Sequence, residues 1–253
     1  MMCCQGHRPN GDPCRRPKDL NARGYCHQHS WQDGPRCQGI KGGTTRPCKN
    51  PAKEGYAYCC ATHDPAEVHI PPSVLDPEGY YLRGRVQDDV VARWKEQDIY
   101  NRRPLDLRSL LDLDHIVEKQ CFTYGLSQLD LRQGDDDFAL ATEVLRENVV
   151  NELDNLTLTR SSTNRIKGAG VYQFLDDSRT GHLGNKTFTT YLLEATRDGE
   201  TLGRAVTRRI TRNMGRAMKK CQWKLSDEGD TPVLDNLSGQ LQKLFVAMEL
   251  HER

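Results

Sequence analysis

The sequence predicts an α+β fold assembled from small modules rather than from one large core. The chain of 253 residues has only 36% hydrophobic residues and a mean hydropathy of −0.76, which is low for a single large core. Eight of its ten cysteines fall within the first 60 residues. Strand-like alternation and helix-like periodicity follow one another in the middle and C-terminal parts of the chain.

The N-terminal third contains a repeated metal-binding pattern. Segments 4–14 and 37–48 both begin with CQG, and each is followed, after eleven intervening residues, by a Cys-x-x-His pair. Three thiolates and one imidazole close a tetrahedral zinc site without an open position, so such a site is structural. The repeat predicts two zinc modules, 1–33 and 34–66, with the ligands Cys4, Cys14, Cys26 and His29 in the first and Cys37, Cys48, Cys60 and His63 in the second. Cys3 and Cys59 adjoin predicted ligands and compete for their places.

Disulfides are the alternative for clustered cysteines, but the repeated spacing and the nearby histidines favour zinc. Residues 1–63 carry ten Lys and Arg against four Asp and Glu, with tyrosines interleaved among them. Basic zinc modules of this kind bind nucleic acid or dock a protein partner. Both roles stay open at this point.

The middle of the chain shows strand and helix patterns in sequence. Residues 67–104 are expected to form a Pro-rich linker and a short helix over QDDVVARWKEQDIY. A strand candidate ends near His115, and an insert follows with a helix over DDDFALATEVLREN. The stretch NLTLT alternates like a second strand, and SSTNRIK opens like a helix. The pattern over residues 105–170 therefore predicts a strand, an insert, a second strand and a helix.

The C-terminal region, 171–253, is predicted to be basic and mainly helical. Basic residues recur at every fourth position of one segment, which predicts a charged stripe on a helix. Its members are Arg204, Arg208, Arg212, Arg216 and Lys220. Apolar residues recur on the opposite face, which leaves the stripe free for DNA phosphates or simply for water. A last helix presents Leu237, Leu241, Leu244 and Met248 for core packing.

Several polar residues of segment 105–170 have the composition of a hydrolytic metal site. Asp114 and Asn164 can both offer side-chain oxygens, which suit Mg²⁺. His115 beside such a cation stays neutral and can take a proton from water. The structural alternative is a satisfied histidine beside a turn aspartate, with Asn155 and Asn164 as ordinary caps.

The stretches LDLDHIV and DNLTLTRSSTNRIKG resemble the HNH signature of the ββα-metal endonucleases, and are especially similar to the HNH domain of RNA-guided DNA nucleases. The resemblance implies a small ββα-metal core over 105–170. By it, His115 would be the general base, and Asp114 and Asn164 would hold one Mg²⁺ or Mn²⁺. Asn155 would tie down the loop that orients the imidazole. Lys167 or Arg165 would contact a flanking phosphate.

The sequence departs from the HNH pattern in two ways. Many HNH proteins hold this motif together with two CxxC pairs that bind zinc, whereas here only Cys121 lies nearby. The insert between the two strands is long, and together with the LDHIxEK-type start it is similar to the caspase-activated DNase group. That group is richer in histidine around the second strand, whereas this chain has none between His115 and His182.

These patterns together predict a metal-dependent HNH endonuclease that hydrolyses DNA, with one Mg²⁺ or Mn²⁺ and two Zn²⁺. Double-stranded DNA is the expected partner, and the zinc modules could dock a protein. A non-catalytic zinc-containing adaptor for nucleic acid or protein, and an RNase or toxin-type nuclease, are the alternatives. The chain has no apolar run long enough to span a membrane and no secretory signal at its start. We therefore expect an intracellular protein, cytoplasmic or nuclear, without a membrane partner.

Overall fold

The computed structural model describes residues 3–8, 11–16, 20, 25–26, 28–29, 34–41, 44–106, 110–228 and 231–250. The chain divides into two compact units. The first comprises Met1–Val68 with Arg179–His182, and the second comprises His69–Ser178 with Leu183–Arg253. Both predicted zinc modules fall in the first unit, and the predicted segments 67–104, 105–170 and 171–253 fall almost wholly in the second. The fold is α+β, as expected.

The two modules of the first unit repeat the same short backbone scaffold. In each, the glycine of the CQG start accepts a hydrogen bond through its carbonyl from the N–H of the second cysteine. These bonds are Cys14 to Gly6 and Cys48 to Gly39, both 2.8 Å long. A 3₁₀ turn, Ala61–His63, carries the histidine of the second module. The sequence repeat is therefore also a structural repeat.

The second unit contains seven α-helices and six short strands among its described residues. In chain order they are α1 Leu82–Arg93, β1 Gln97–Asp98, β2 Arg103–Pro104, β3 Leu111–His115, α2 Lys119–Ser127, α3 Asp136–Val144, β4 Leu156–Arg160, α4 Ser161–Thr180, α5 Phe188–Glu194, β5 Thr196–Arg197, β6 Glu200–Thr201, α6 Arg204–Asp227 and α7 Pro232–Ala247. A 3₁₀ turn Pro72–Leu75 precedes α1, a π-helical segment Leu145–Val150 follows α3, and a 3₁₀ turn Leu153–Asn155 precedes β4.

The strand–strand–helix order predicted for the middle of the chain is confirmed. β3 and β4 pair antiparallel, with Leu113 opposite Leu158 and His115 opposite Leu156. The helix α4 begins directly after β4, beside the start of β3, because Arg160 is paired with Leu111. Lys167, in the second turn of α4, reaches Asp114 and the His115 carbonyl at the end of β3. The alternation in β4 predicted one polar face, but Thr157 and Thr159 are fully buried. The hydroxyl of Thr159 stays satisfied there, since it donates to Asp98 Oδ2 at 2.8 Å.

The predicted short helix over residues 87–100 is wrong at its C-terminal end. Helix α1 ends at Arg93, because Lys95 and Glu96 adopt left-handed backbone conformations with φ of 52° and 56°. Gln97 and Asp98 then pair with β2. Trp94 keeps its place at the end of the helix, where its indole N–H donates to the Leu156 carbonyl of β4 at 2.7 Å.

The C-terminal helices supply much of the core. The apolar side of α6 is buried through Ile210, Met214 and Met218, as its periodicity predicted. The stripe Leu237, Leu241, Leu244 and Met248 is buried as well, which confirms a core role. Helix α7 approaches α2 so closely that a Cβ built on Gly125 would lie 2.8 Å from Leu241 Cδ2. Within the described residues, no helix combines the length and the apolar character needed to cross a membrane.

Candidate functional site

The first group of metal-ligating side chains is the predicted set Cys4, Cys14, Cys26 and His29. All four residues are buried, and their ligand atoms lie within 4.8 Å of one another. The sulfurs of Cys14 and Cys26 are 4.0 Å apart, and His29 Nδ1 lies 3.4 Å from the Cys26 sulfur. Tetrahedral zinc, with Zn–S near 2.3 Å and Zn–N near 2.0 Å, sets these separations at about 3.8 Å and 3.5 Å. The group can hold zinc.

The second group consists of Cys37, Cys48, Cys59 and His63. The structure therefore places Cys59 in the position predicted for Cys60. The Cys59 sulfur lies 3.7 Å from that of Cys48 and 3.2 Å from His63 Nδ1, again close to tetrahedral separations. The Cys60 sulfur instead lies 3.1 Å from Thr62 Oγ1. The sulfurs of Cys59 and Cys60 lie 3.7 Å apart, and only that of Cys59 belongs to the group of four ligand atoms.

Backbone N–H groups prepare these sulfurs to act as ligands. Burial raises the pKa of the Cys4 thiol, but hydrogen bonds, led by those from the N–H groups of Cys26 and Gly6, lower it to about 6 overall. In the second module the pKa of Cys37 falls to about 7 for the same reasons. Each group thus has one sulfur that is readily deprotonated, which is the form that binds zinc.

The glycine of each CQG start makes room for the histidine ligand. A Cβ built on Gly6 would lie 2.3 Å from His29 Cβ, and one built on Gly39 would lie 2.4 Å from His63 Cβ. Real Cβ atoms do not approach so closely, so a larger residue would displace the histidine. These two glycines therefore belong to the predicted zinc-binding pattern, and the repeated CQG was the signal that could have identified them.

His115 is held at the end of β3 by Asn151, a residue that no motif in the sequence indicates. Asn151 donates through Nδ2 to the carbonyls of Leu75 and Arg146, at 3.0 and 2.8 Å, which fixes the orientation of its amide. Its Oδ1 therefore faces His115 Nε2 at 2.9 Å as an acceptor. The hydrogen of the neutral imidazole must then reside on Nε2, and Nδ1 keeps its lone pair.

The electrostatic surroundings favour this neutral form. Burial and the positive charges of Lys119 and Lys167 lower the pKa of His115 to about 3, against a smaller opposing effect of the hydrogen bond to Asn151. The imidazole therefore stays unprotonated near neutral pH, and its low pKa makes it a weaker base than a solvent-exposed histidine.

Asn155 closes the loop that follows His115. Its Oδ1 accepts from the N–H of Val117 at 2.8 Å, and its Nδ2 donates to the carbonyls of Val117 and Val150. The residue is fully buried. This is the arrangement expected of a residue that orients the histidine-bearing loop, although its contribution to catalysis stays a prediction.

Asp114 was predicted to be a metal ligand, but in the structure it lies in a buried ion pair. Its side chain is 1% exposed, and both carboxylate oxygens accept from Lys167 Nζ, at 2.8 and 2.7 Å. Tyr100 also donates to it at 2.8 Å. The Lys167 ammonium therefore occupies the place beside Asp114 that a metal ion would take. Asn164 forms its hydrogen bond with Asp112 instead. The expected Asp114–Asn164 ligand pair is not formed.

Lys167 cannot play its predicted role as a phosphate contact, because its side chain is fully buried. Its ammonium also donates to the His115 carbonyl at 2.7 Å. Burial alone would lower the pKa of Lys167, but the carboxylates of Asp114 and Glu118 raise it, so the side chain stays charged. Lys167 thus ties the core of α4 to the end of β3.

Asn164, the other predicted ligand, lies in an open pocket beside His115. The pocket has a volume of about 470 Å³ and is lined also by Asp112, Arg83 and Lys119. Asn164 Nδ2 donates to Asp112 Oδ2 at 3.2 Å, and Ser161 donates to Asp112 Oδ1 at 2.6 Å. Asp112 was not among the predicted site residues. The LDLD sequence offers two acids on one strand, and their spacing alone does not distinguish them.

The predicted nucleic-acid contacts other than Lys167 lie at the surface. Arg204, Arg208, Arg212, Arg216 and Lys220 are all exposed along α6. Lys220 also pairs with Asp154 at 2.8 Å. Arg165 is exposed and lines a second pocket of about 590 Å³ at the start of α4. An exposed basic row is available for phosphates, and the DNA contact itself stays a prediction.

Comparison with known proteins adds no relative: no protein-family model, curated protein or solved structure matches this chain.

Proposed function

We propose that this protein is an endonuclease that hydrolyses DNA phosphodiester bonds in a metal-dependent reaction. The observation that carries the proposal is the state of His115. Its Nε2 is occupied by Asn151, its imidazole is neutral, and the residue lines an open pocket with acidic, amide and basic side chains. An anionic phosphate in the pocket would raise the low pKa of this imidazole toward neutrality, so that it could take a proton from water beside that phosphate.

Each of these pocket residues has its own role in the proposed reaction. His115 Nδ1 accepts the proton of the attacking water, and Asn151 stabilises the imidazolium that results, because its carbonyl oxygen faces Nε2–H. Arg83 and Lys119 lie on the same pocket and attract the phosphate. The divalent cation implied by the HNH resemblance would neutralise charge on the reacting phosphate and the leaving oxygen. The Asp114 carboxylate is not free to hold it.

A plasmid assay tests this proposal. Zinc-loaded, full-length protein should nick or linearise supercoiled DNA in Mg²⁺ or Mn²⁺, and His115→Ala should lower the rate by at least about 100-fold. His69→Ala, which removes an exposed histidine of the same unit, should leave the rate unchanged. Equal cleavage by the His115→Ala and wild-type proteins would remove His115 from the mechanism.

Asn151→Ala tests the tautomer argument separately. Without its acceptor on Nε2, the imidazole can hold its proton on either nitrogen, so the catalytic rate constant should fall while the KM for DNA changes little. A change confined to KM would assign Asn151 to DNA binding instead.

The exposed row on α6 is the proposed DNA-backbone contact. The double variant Arg208→Ala/Arg212→Ala should weaken duplex binding and reduce the slope of log affinity against log salt by about 2, since each phosphate contact contributes about 0.9. Lys243→Ala removes an exposed charge of α7 outside the row and serves as the control. Fluorescence anisotropy over a salt series measures both effects. An unchanged slope would show that the row is only solvated.

The engagement of Asp114 by Lys167 favours a second candidate, a non-catalytic adaptor that binds nucleic acid or protein. Tight DNA binding without turnover in Mg²⁺, Mn²⁺ or other divalent ions would support it. Competition between labelled duplex DNA and RNA in the same assays separates a DNase from an RNase.

A further inference from the structure

The pocket beside His115 contains a pair of side chains with the separation that a small divalent cation requires. Asp112 Oδ2 and the nearer terminal atom of the Asn164 amide, Nδ2, are 3.2 Å apart. Two neighbouring oxygen ligands of an octahedral Mg²⁺, each about 2.1 Å from the ion, lie about 3.0 Å apart. This separation is that of a hydrogen bond, and it is also short enough for the two side chains to act as adjacent ligands once both turn toward a shared ion.

The amide must present oxygen rather than nitrogen to the ion. The two ends of an asparagine amide have nearly the same size, so a half-turn about its last side-chain bond exchanges them in place. In the absence of a cation, Nδ2 faces the carboxylate and donates to it. When a cation arrives, the same rotation places Oδ1 beside Asp112 and loses only that one hydrogen bond.

We propose that Asp112 and Asn164 form a Mg²⁺ or Mn²⁺ site, and that Asp114 is not a ligand of it. Asp114 already forms an ion pair with the buried ammonium of Lys167. Asp112 lies on the open pocket, and Ser161 fixes its other carboxylate oxygen. Water completes the coordination sphere, as is usual for Mg²⁺. In the proposed nuclease, on which this role of the site rests, the ion lies in the same pocket as His115.

The competing explanation for Asp112 is local. Its bonds to Ser161 and Asn164 could serve only to fix the first turn of α4. That explanation predicts no divalent-cation binding in the pocket. Binding measured without DNA therefore separates the two, and does so whether or not the protein cleaves DNA.

Mn²⁺ binding to zinc-loaded, full-length protein, followed by electron paramagnetic resonance, provides the test. Asp112→Asn should weaken Mn²⁺ affinity by at least about 10-fold. Asn164→Asp should strengthen it by about 10-fold, because a second carboxylate adds a charged ligand. A gain in affinity cannot arise from a damaged fold. The thiolate sites prefer zinc and do not take up this ion.

The control removes the buried pair. Asp114→Asn alone leaves the Lys167 ammonium uncompensated, so the double variant Asp114→Asn/Lys167→Met is used, and it should bind Mn²⁺ as the wild type does. Unchanged affinity in Asp112→Asn, or loss of affinity in the double variant, would overturn the proposal. Binding that follows these expectations without DNA cleavage would reject the nuclease and retain the site.

Discussion

The buried pair between Lys167 and Asp114 should dominate the stability of the second unit. Lys167→Met removes an ammonium that donates to both oxygens of Asp114 and to the His115 carbonyl, at 2.7 to 2.8 Å. Both side chains are at most 1% exposed, so no water replaces the lost bonds. Leaving one charge of a buried pair without its partner costs about 3–5 kcal/mol. For a unit of this size, that corresponds to a fall in Tm of about 6–20 °C.

The double variant Asp114→Asn/Lys167→Met separates two contributions to the lost stability: the buried charge without a partner and the lost hydrogen bonds. The amide oxygen introduced by Asp114→Asn would still accept from Tyr100, and no charge would remain buried, so most of the loss should be recovered, to within about 2 kcal/mol of the wild type. The penalty of the single variant should also shrink as the pH falls. Burial raises the pKa of Asp114 even in the wild type, where the Lys167 ammonium opposes the rise. Without the ammonium this pKa lies higher still, so the carboxyl takes up a proton and loses its charge.

Urea unfolding followed by far-UV circular dichroism measures these effects, because the described α-helices belong almost wholly to the second unit. The reasoning would be refuted if Lys167→Met unfolded within about 1 kcal/mol of the wild type, or if the double variant were no more stable than the single one.

Three further predictions concern the zinc modules and the buried acid. We expect the protein to bind two zinc ions, and Gly39→Ala should lose one of them by mass spectrometry of metal content, because its Cβ would overlap His63 Cβ, whereas Gln38→Ala should keep both. Cys59→Ser should likewise lose one zinc while Cys60→Ser retains two, and the opposite result would restore the ligand that the repeat predicted. Burial raises the pKa of Glu118 from 4.5 to about 7, so the wild type loses stability as the pH rises through that range, since the unfolded chain releases the proton first. Glu118→Gln should remove this loss, gaining up to about 3 kcal/mol relative to the wild type above pH 7, and parallel stability curves for the two proteins would contradict the assignment.

Much of the fold could be predicted because its signals are local. The β3–β4–α4 order follows from alternation and from helix-opening residues, and the buried and exposed sides of α6 follow from a four-residue period. Boundaries were less predictable. Helix α1 ends at Arg93 because Lys95 and Glu96 adopt left-handed backbone conformations. These residue types do not predict such conformations.

The sequence by itself determined the chemistry available to this protein: two sets of three thiols and an imidazole, a histidine at a strand end, and a basic row on one helix. Only the tertiary structure decided which of two neighbouring groups is used. Asp112 and Asp114 share one side of a strand by alternation, and packing by Tyr100 and Lys167 buries only the second. Asn151 reaches His115 across 36 positions of sequence. Periodicity sets the structure of a segment, whereas the partner of each side chain depends on contacts between segments far apart in the chain.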